Sequence, residues 1–452
     1  MFNLNQLKKL YGNSPLWMKK LYAAIPFDLR NGNEYRKWKN FLQKDISIEE
    51  YEYKKLKETV TYAYNNTVFY RQLFTKIQAT PNDIKSIKDF QQIPFVDKDI
   101  VRENYEDFLV KGYPKNKILR VTTGGSSGTP VEYIQSRNIW SKELAFYMHF
   151  FRQFNYIPIS IRASFKGGDF SKLSTDEYWF YNPVNNEINF SPTHITKDTI
   201  KKYVNQLNKI KPRFFYGYPS SMLFLMQNIR QNNLTLDFNI DAIFLISESF
   251  TKEDIDRISN FFNCSVASTY GHSERLVLAE SNGKTVSNYS INRRYGYFEL
   301  IDENESTIED NNIRGEIIGT GFDNYAMPIL RYKTGDFTAY ENFDKNIINL
   351  VDSPRKQLYI DDKNNNQISE HALLRQSEML ELGIIKYQIL QTVPGKIKLF
   401  ILTEKSFDSN AYQKLVWSLK NRVNDSLEIE IIITDKLILT KRGKCMPLIK
   451  EY

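Results

Sequence analysis

Val121-Thr122-Thr123-Gly124-Gly125-Ser126-Ser127-Gly128-Thr129-Pro130 packs three glycines and five hydroxyl side chains into ten residues. Apolar, strand-like residues precede it (Ile118, Leu119, Val121), and a second short strand pattern follows (Val131, Tyr133). Glycine lets successive backbone N–H groups turn toward one point, and Ser and Thr add neutral donors there, so the run suits an anion such as a triphosphate. No lysine lies inside it and no Gly-Lys-Ser/Thr follows, which excludes a Walker A loop. Gly and Ser also dominate flexible linkers. The rest of the chain has to separate the two readings.

The chain has 452 residues, more than one hydrophobic core usually serves, so two or more domains are expected. Its hydrophobic and charged shares, 41% and 25%, are those of a soluble globular protein, and 14% aromatics argue against disorder. The net charge of +8 is spread among 53 acidic residues without a dense basic block. That predicts a mild attraction for anions and no nucleic-acid partner. Two cysteines, Cys264 and Cys445, exclude a disulfide framework and a cysteine-cluster zinc site, and fit a cytoplasmic location. No run of 18 apolar residues exists to span a membrane. Lys8, Lys9, Lys19 and Lys20 stand between short apolar groups, without a continuous signal-peptide core. This Leu, Tyr and Trp pattern suits either peripheral membrane association or packing on its own domain, and packing is the commoner outcome.

Residues 1–45 read as short amphipathic helices broken at Pro15, Pro26 and Asn31-Gly32. Tyr51, Leu56, Val60, Ala63 and Tyr64 carry helical spacing within 48–76, and Asn138 to Phe151 is an aromatic-rich helix. Residues 155–190 alternate too irregularly to assign. Lys197–Ile210 reads as a helix stopped by Pro212, then Phe214–Tyr216 as a strand, then a helix capped by Ser220. Ala242–Ile246, Lys252–Phe262 and Ser265–Ser268 continue as strand, helix, strand. Such alternation predicts βαβ units and a largely parallel sheet. From Tyr295 short strands with polar turns predict an antiparallel, hairpin-rich portion. After residues 352–355 come a hairpin at Leu358–Ile360 with Ile368, a hairpin turning at Pro394-Gly395, a helix with Ala411, Leu415, Leu419 and Val423, and the strand Leu427–Ile433. The fold class is therefore α/β. A large N-terminal domain (1–353) combines mixed, largely parallel sheets with an antiparallel portion, and a small α+β C-terminal domain (354–452) is mobile relative to it.

Four further clusters suit a nucleotide. Ser247-Glu248-Ser249 follows the buried strand, where ligands bind in open parallel sheets. Thr269-Tyr270-Gly271-His272-Ser273-Glu274 also follows a strand. Tyr270 can stack on a base, Ser273 can donate to phosphate, and Glu274 can hold the Mg²⁺ that neutralises a triphosphate. Arg331-Tyr332-Lys333-Thr334-Gly335-Asp336 places an aspartate after a Thr-Gly turn, fit to accept both hydroxyls of a ribose. Thr440-Lys441-Arg442-Gly443-Lys444 sets a lysine beside a glycine turn. Singly, Thr-Gly-Asp is usually just a turn.

In combination and order, these motifs resemble the adenylate-forming ligase superfamily, in the phenylacetate–CoA ligase-like branch that contains CapK-type capsule-biosynthesis proteins. The resemblance covers nearly the whole chain. It extends to Asn65–Arg71, Ile93–Lys98, Gly217-Tyr218-Pro219-Ser220-Ser221, Gly315–Thr320 and Pro328–Tyr332. It implies ATP-dependent activation of a small-molecule carboxylate as an acyl-adenylate with release of pyrophosphate. Transfer to an acyl acceptor follows, either CoA or another thiol, or an amine, in capsule or surface-polysaccharide synthesis. The alternative is a catalytically inactive nucleotide-binding accessory protein of a polysaccharide assembly complex. By the same resemblance, Thr122–Thr129 hold the β,γ-phosphates, Glu274 the Mg²⁺ and Asp336 the ribose. Ser247–Ser249, Thr269, Tyr270, Gly271 and Ser273 complete the ATP/AMP site. Arg355 assists at the ribose, and Lys444 bridges the carboxylate and α-phosphate. Tyr218, Pro219, Ser220 and His272 line the acyl pocket.

The chain departs from the family pattern at Ser353-Pro354-Arg355-Lys356-Gln357, where Gly-Arg followed by an acid is usual, and proline restricts φ. Cys445-Met446-Pro447 after the tail lysine is also unusual. Residues 275–294 hold no Cys or His, so no structural zinc is expected. His149, His194 and His371 read as structural or exposed, Cys264 as a small buried residue, and Phe146, Tyr147, Phe150 and Phe151 as core.

Overall fold

The computed structural model describes residues 11, 14–122, 132–166, 170, 177–248, 250–281, 283, 286–351, 359–364, 367–374, 379, 382–403, 407–423, 426–439 and 445–452. The chain divides into two compact units. One comprises residues 1–160, 183–185 and 267–354, and the other 161–182, 186–266 and 355–452.

The first unit opens with helices α1 (Leu16–Ala24), α2 (Gly32–Phe41), α3 (Ile48–Asn66) and α4 (Val68–Lys76). The single helical pattern expected over 48–76 is split by Thr67, whose extended backbone ends α3. Its hydroxyl accepts from the Tyr70 amide at 3.3 Å and so caps α4. Leu56, Val60 and Ala63 on one face of α3 join Tyr70, Phe74 and Phe90 in a core cluster with Val96, Met327, Leu330 and Tyr332. Helix α5 (Asn138–Arg152) buries Ile139, Phe146, Phe150 and Phe151, so most of the aromatics there are core, as their type suggests. Buried Lys142 on this helix pairs with Asp323 at 2.8 Å, and Lys55 reaches the other oxygen of Asp323 at 2.6 Å.

Strands β1 (Ile118–Thr122) and β2 (Glu132–Ser136) form an antiparallel hairpin in which Thr122 faces Glu132. The sheet of this unit contains β8 (Ser265–Gly271), β9 (Leu278–Ser281), β10 (Asn288–Ile291), β11 (Gly296–Ile301), β12 (Arg314–Gly321), β13 (Tyr332–Asn342) and β14 (Ile347–Asn349). Their order is β11-β12-β13-β14-β10-β9-β8, with antiparallel pairing throughout. The hairpin texture expected from Tyr295 onward thus begins earlier, at β9.

In the second unit, β3 (Arg162–Phe165), β5 (Glu187–Phe190), β6 (Phe214–Gly217) and β7 (Ala242–Leu245) are parallel, and β4 (Trp179–Asn182) joins the edge antiparallel to β5. Three of these strands lie in the stretch 155–190 whose pattern was unreadable. Their faces are buried together, so no period-2 alternation survives in β3 or β5. Helix α6 (Ile200–Ile210) starts three residues later than its periodicity implies, because the Thr199 hydroxyl accepts from the Thr196 amide at 3.2 Å in a preceding turn. Helix α7 (Pro219–Gln231) is buried along eleven residues. Helix α8 (Lys252–Phe262) has a reciprocal Thr251/Asp254 capping box. Cys264, expected buried, is half-buried.

The same unit carries the C-terminal portion: a hairpin of β15 (Tyr359–Asp361) and β16 (Gln367–Ser369), then β17 (Ile384–Val393), β18 (Lys396–Thr403), α9 (Ser409–Val423), β19 (Glu428–Ile433) and β20 (Leu448–Lys450). The four later strands form a sheet ordered β19-β18-β17-β20. Leu415, Leu419 and Val423 of α9 pack on Ile389, Ile397, Leu399 and Ile401. Among the described residues no helix is long and apolar enough to cross a membrane.

Candidate functional site

In the first unit, β8 ends at Gly271 and the chain turns through His272-Ser273-Glu274-Arg275, with Arg275 at φ 57 and its amide bonded to the His272 carbonyl at 3.0 Å. Arg275 anchors this turn by pairing with Glu143 at 3.0 Å and lying over the Trp140 ring at 4.0 Å. Gln135 of β2 accepts from Arg275 at 3.0 Å and donates to the Ser273 carbonyl at 2.6 Å. The turn thereby holds the Glu274 carboxylate between His272 Nδ1, at 3.1 Å, and the Tyr332 hydroxyl, which donates at 3.3 Å. Burial pushes the Glu274 carboxyl up, but the bonds from His272 and Tyr332 outweigh it and hold the group below the usual carboxylate range.

Tyr332 also lies 2.9 Å, hydroxyl to hydroxyl, from Tyr133. Tyr133 sits on β2, three residues beyond Pro130, the last residue of the glycine-rich stretch, so the strand that follows that stretch stands beside Glu274. Loop residues Thr123, Gly124, Gly125, Ser126, Ser127, Gly128 and Thr129 lie outside the described residues, and Thr122 is described as the last residue of β1.

Asp336 reaches the same neighbourhood through a β-bulge. Between Glu316 and Ile318 of β12 the register slips, so Lys333 faces Ile318 while Phe337 faces Glu316. The intervening Thr334-Gly335-Asp336 is pushed out of the ladder, as bulges near functional sites commonly do. Gly335 takes φ 71, a conformation that side-chain-bearing residues rarely adopt. Its amide donates to Glu316 Oε1 at 3.0 Å, and the Thr334 hydroxyl, which donates to the Ile317 carbonyl at 2.7 Å, accepts from the Asp336 amide at 3.1 Å. The Asp336 carboxylate accepts from the Tyr270 hydroxyl at 2.9 Å. Burial and the adjacent Asp336 raise the Tyr270 phenol far above its ordinary value, so it stays a donor. His272 Nε2 is buried and has no hydrogen-bond partner among the described residues.

Arg331 was quoted as part of this motif, and the structure gives it a different task. It is buried, forks onto Glu299 at 3.0 and 3.1 Å, donates to the Gln91 and Ile93 carbonyls and lies 4.0 Å over the Phe95 ring. That accounts for the Ile93-Pro94-Phe95 and Pro328–Tyr332 motifs together: they form one clamp.

In the second unit, β7 ends at Leu245, and Ser247 at φ 62 swings Glu248 beside the start of α7. Ser220 was expected to cap this helix, but the helix begins two residues earlier, with Tyr218 at the N-cap and without a side-chain cap bond. Glu248 supplies the cap: Oε2 accepts from the Ser220 amide at 3.1 Å, and Oε1 from its hydroxyl at 3.0 Å. Tyr218, Pro219 and Ser220 are all buried at this point. Oε1 of Glu248 also accepts from the Cys445 amide at 3.1 Å, so the residue next to Lys444 is held at the carboxyl end of β7. Buried Gln388 of β17 grips both ends of the tail turn. It donates to the Ile438 and Met446 carbonyls at 2.9 and 2.6 Å and accepts from the Ile438 amide at 2.7 Å. Leu439 and Cys445 close that turn as a β-bridge. Lys444, Arg355 and Ser249 lie outside the described residues.

Sequence reasoning missed Tyr332, Tyr133, Gln135 and Gln388 as site-supporting residues. Tyr332 lay inside a quoted motif. Gln388 left no signal, since its partners are backbone groups about fifty residues away. Among the described residues no group of three or more His, Cys, Asp or Glu is placed to hold a metal ion.

No family model matches the chain. Over 453 aligned residues it is 26% identical to Protein CapK of Staphylococcus aureus, covering 97% of this chain and 98% of that protein. It is 24% identical over 305 residues to the phenylacetate-coenzyme A ligase of Pseudomonas putida, covering 65% and 66% of the two chains. Among solved structures, a 2-hydroxyisobutyryl-CoA ligase in the postadenylation state superposes with a TM-score of 0.66, at 15% identity and 89% coverage of both chains. The chain is thus similar along nearly its whole length to Protein CapK, similar over about two thirds of it to a phenylacetate-coenzyme A ligase, and has the fold of the 2-hydroxyisobutyryl-CoA ligase.

Proposed function

We propose that the protein activates a carboxylic acid with ATP and passes the acyl group to a thiol, with CoA as the acceptor favoured by its relatives. One observation carries this reading: Tyr332 is shared between Tyr133, at the stem of the glycine-rich loop, and an ionised Glu274. Tyr133, on the strand that follows the glycine-rich segment, and the Glu274 carboxylate are thereby neighbours, which supports a shared role toward a nucleotide.

In the first step a carboxylate oxygen attacks the α-phosphorus of ATP, the bond to the β-phosphate bridge breaks, and pyrophosphate leaves. In the second, a thiolate attacks the acyl carbon and AMP leaves. Asp336, turned outward by its bulge, accepts from the ribose hydroxyls, and Tyr270 fixes its orientation. Glu274 is the carboxylate that would hold Mg²⁺. A lone carboxylate fits that ion, which takes one or two carboxylates and fills its shell with water and substrate phosphate. Bound there, Mg²⁺ would neutralise the triphosphate. His272 offers its unpaired Nε2 to the substrate acid. Lys444 supplies positive charge against the negative charge that builds on the α-phosphate oxygens, and Arg355 assists at the ribose.

The test is ATP–pyrophosphate exchange against a panel of carboxylates, followed by offering CoA or amines to the preformed adenylate. Exchange that depends on one acid and on Glu274 supports the reading. ATP binding without exchange for any acid would favour the inactive accessory protein instead.

A further inference from the structure

Helix α1 (Leu16–Ala24) buries none of its residues. Trp17 is 62% and Leu21 64% exposed, and Leu16, Met18, Tyr22, Ile25 and Leu29 are exposed as well. Packing on its own domain, the commoner outcome for such a pattern, is confined here to one side. Arg30 reaches from the next turn to the Ala23 carbonyl at 3.2 Å and the Val184 carbonyl at 2.7 Å, and Lys19 lies over the Tyr11 ring. At 100° per residue, Ala23 and Lys19 share the side turned to the protein, while Trp17, Leu21 and Met18 lie on the far side with Lys20 at its border.

Large exposed apolar faces on a folded protein mark an interaction surface. Charge identifies the occupant. The first 27 residues contain Lys8, Lys9, Lys19 and Lys20 and no Asp or Glu. A second copy of this face would bring like charges together, whereas an anionic surface neutralises them. Trp and Tyr beside Leu, with lysines at the edge, is also the composition that settles at the boundary between lipid headgroups and acyl chains.

We infer that α1 docks the protein on the surface of an anionic lipid bilayer, with Trp17 and Leu21 entering the headgroup–acyl boundary and Lys20, at the border of that face, meeting lipid phosphate. The inference stands independently of the ligase reading, since no residue of α1 belongs to the candidate site.

The experiment is co-sedimentation of the full chain with vesicles of phosphatidylglycerol mixed with phosphatidylcholine, or of phosphatidylcholine alone. The expected result is at least roughly tenfold stronger partition onto the anionic vesicles, weakened by added salt. The double variant Trp17→Ser/Leu21→Ser should lose about tenfold or more of it while keeping its far-ultraviolet circular dichroism. As a second readout that leaves the face apolar, brominated lipid should quench part of the tryptophan emission of the native chain, and Trp17→Phe should abolish that quenching. Equal binding by native and double-variant chains, no preference for anionic vesicles, or a dimer broken by the double substitution without lipid binding would each overturn the inference.

Discussion

The two candidate regions are held together in different ways. Around Glu274 and Asp336 the contacts run from side chain to side chain: Tyr133, Tyr332, Tyr270 and His272 hold two carboxylates in a mostly buried network. Around Glu248 one carboxylate instead collects backbone amides, from Ser220 at a helix start and Cys445 in the tail, and Gln388 likewise grips backbone on either side of the tail turn. A buried side-chain network is costly to leave half-satisfied and so acts as a fixed receptor. A single amide on a half-exposed carboxylate is easily exchanged for water, and so suits a contact that is made and released. Under the proposed function, the first region would receive charge and the second would hold the segment next to Lys444 through the Cys445 amide.

The sharpest break in this comparison is removal of the cation itself. Lys444→Ala should lower ATP–pyrophosphate exchange by about 10²–10³ while leaving ATP binding, read by equilibrium dialysis, close to native. Wild-type-like exchange would remove Lys444 from the chemistry. Next in size is the fixed receptor. Tyr332→Phe deletes one hydroxyl that serves both Glu274 and Tyr133, and should cost roughly tenfold in exchange, since a hydrogen bond to a charged group contributes ~1.5–3 kcal/mol. An unchanged rate would show that the shared hydroxyl does not position Glu274. The releasable contact should give less. Glu248→Gln keeps an acceptor oxygen but loses the charge, and should slow adenylation a few-fold, about 1 kcal/mol for one amide bond. Transfer of the acyl group from preformed adenylate to a thiol should change little, and equal slowing of both steps would contradict a tail-docking role.

The smallest effect concerns the stability of the first unit. Burial pushes the Glu280 carboxyl up to about 7, against an ordinary 4.5, with Asn292 donating to it at 3.0 Å. Because its pKa is raised in the fold, its stabilisation is full below the ordinary value and lost as pH rises through about 7. Glu280→Gln should therefore match the native urea midpoint near pH 5 and exceed it near pH 8, by on the order of 1 kcal/mol. A difference independent of pH would contradict this cause.

How much of this was readable beforehand follows from range. The α/β order, the split at Pro212, the hairpin at Pro394-Gly395 and the Thr-Gly-Asp turn are local features, carried by Pro, Gly and apolar spacing within a few residues. The strands in 155–190 were not legible because β3 and β5 are buried on both faces and lose the alternation that marks an exposed sheet. The capping of α7 was assigned to Ser220 because its type fits, whereas the cap comes from Glu248, 28 residues later, which no local pattern reveals. For the same reason Asp336 was legible as a candidate, while the bulge that turns it outward and the Tyr270 hydroxyl that fixes it were not. Arg331 shows the reverse case, a charged residue in a functional motif whose partners, Glu299 and the 91–95 segment, are structural.

The most direct test is a crystal structure with a non-hydrolysable acyl-adenylate. The account requires Asp336 within hydrogen-bond reach of both ribose hydroxyls and the phosphate beside the 122–132 hairpin mouth and Glu274. Adenosine bound with neither ribose hydroxyl in hydrogen-bond reach of Asp336, and with no part of the nucleotide near Glu274, would contradict it.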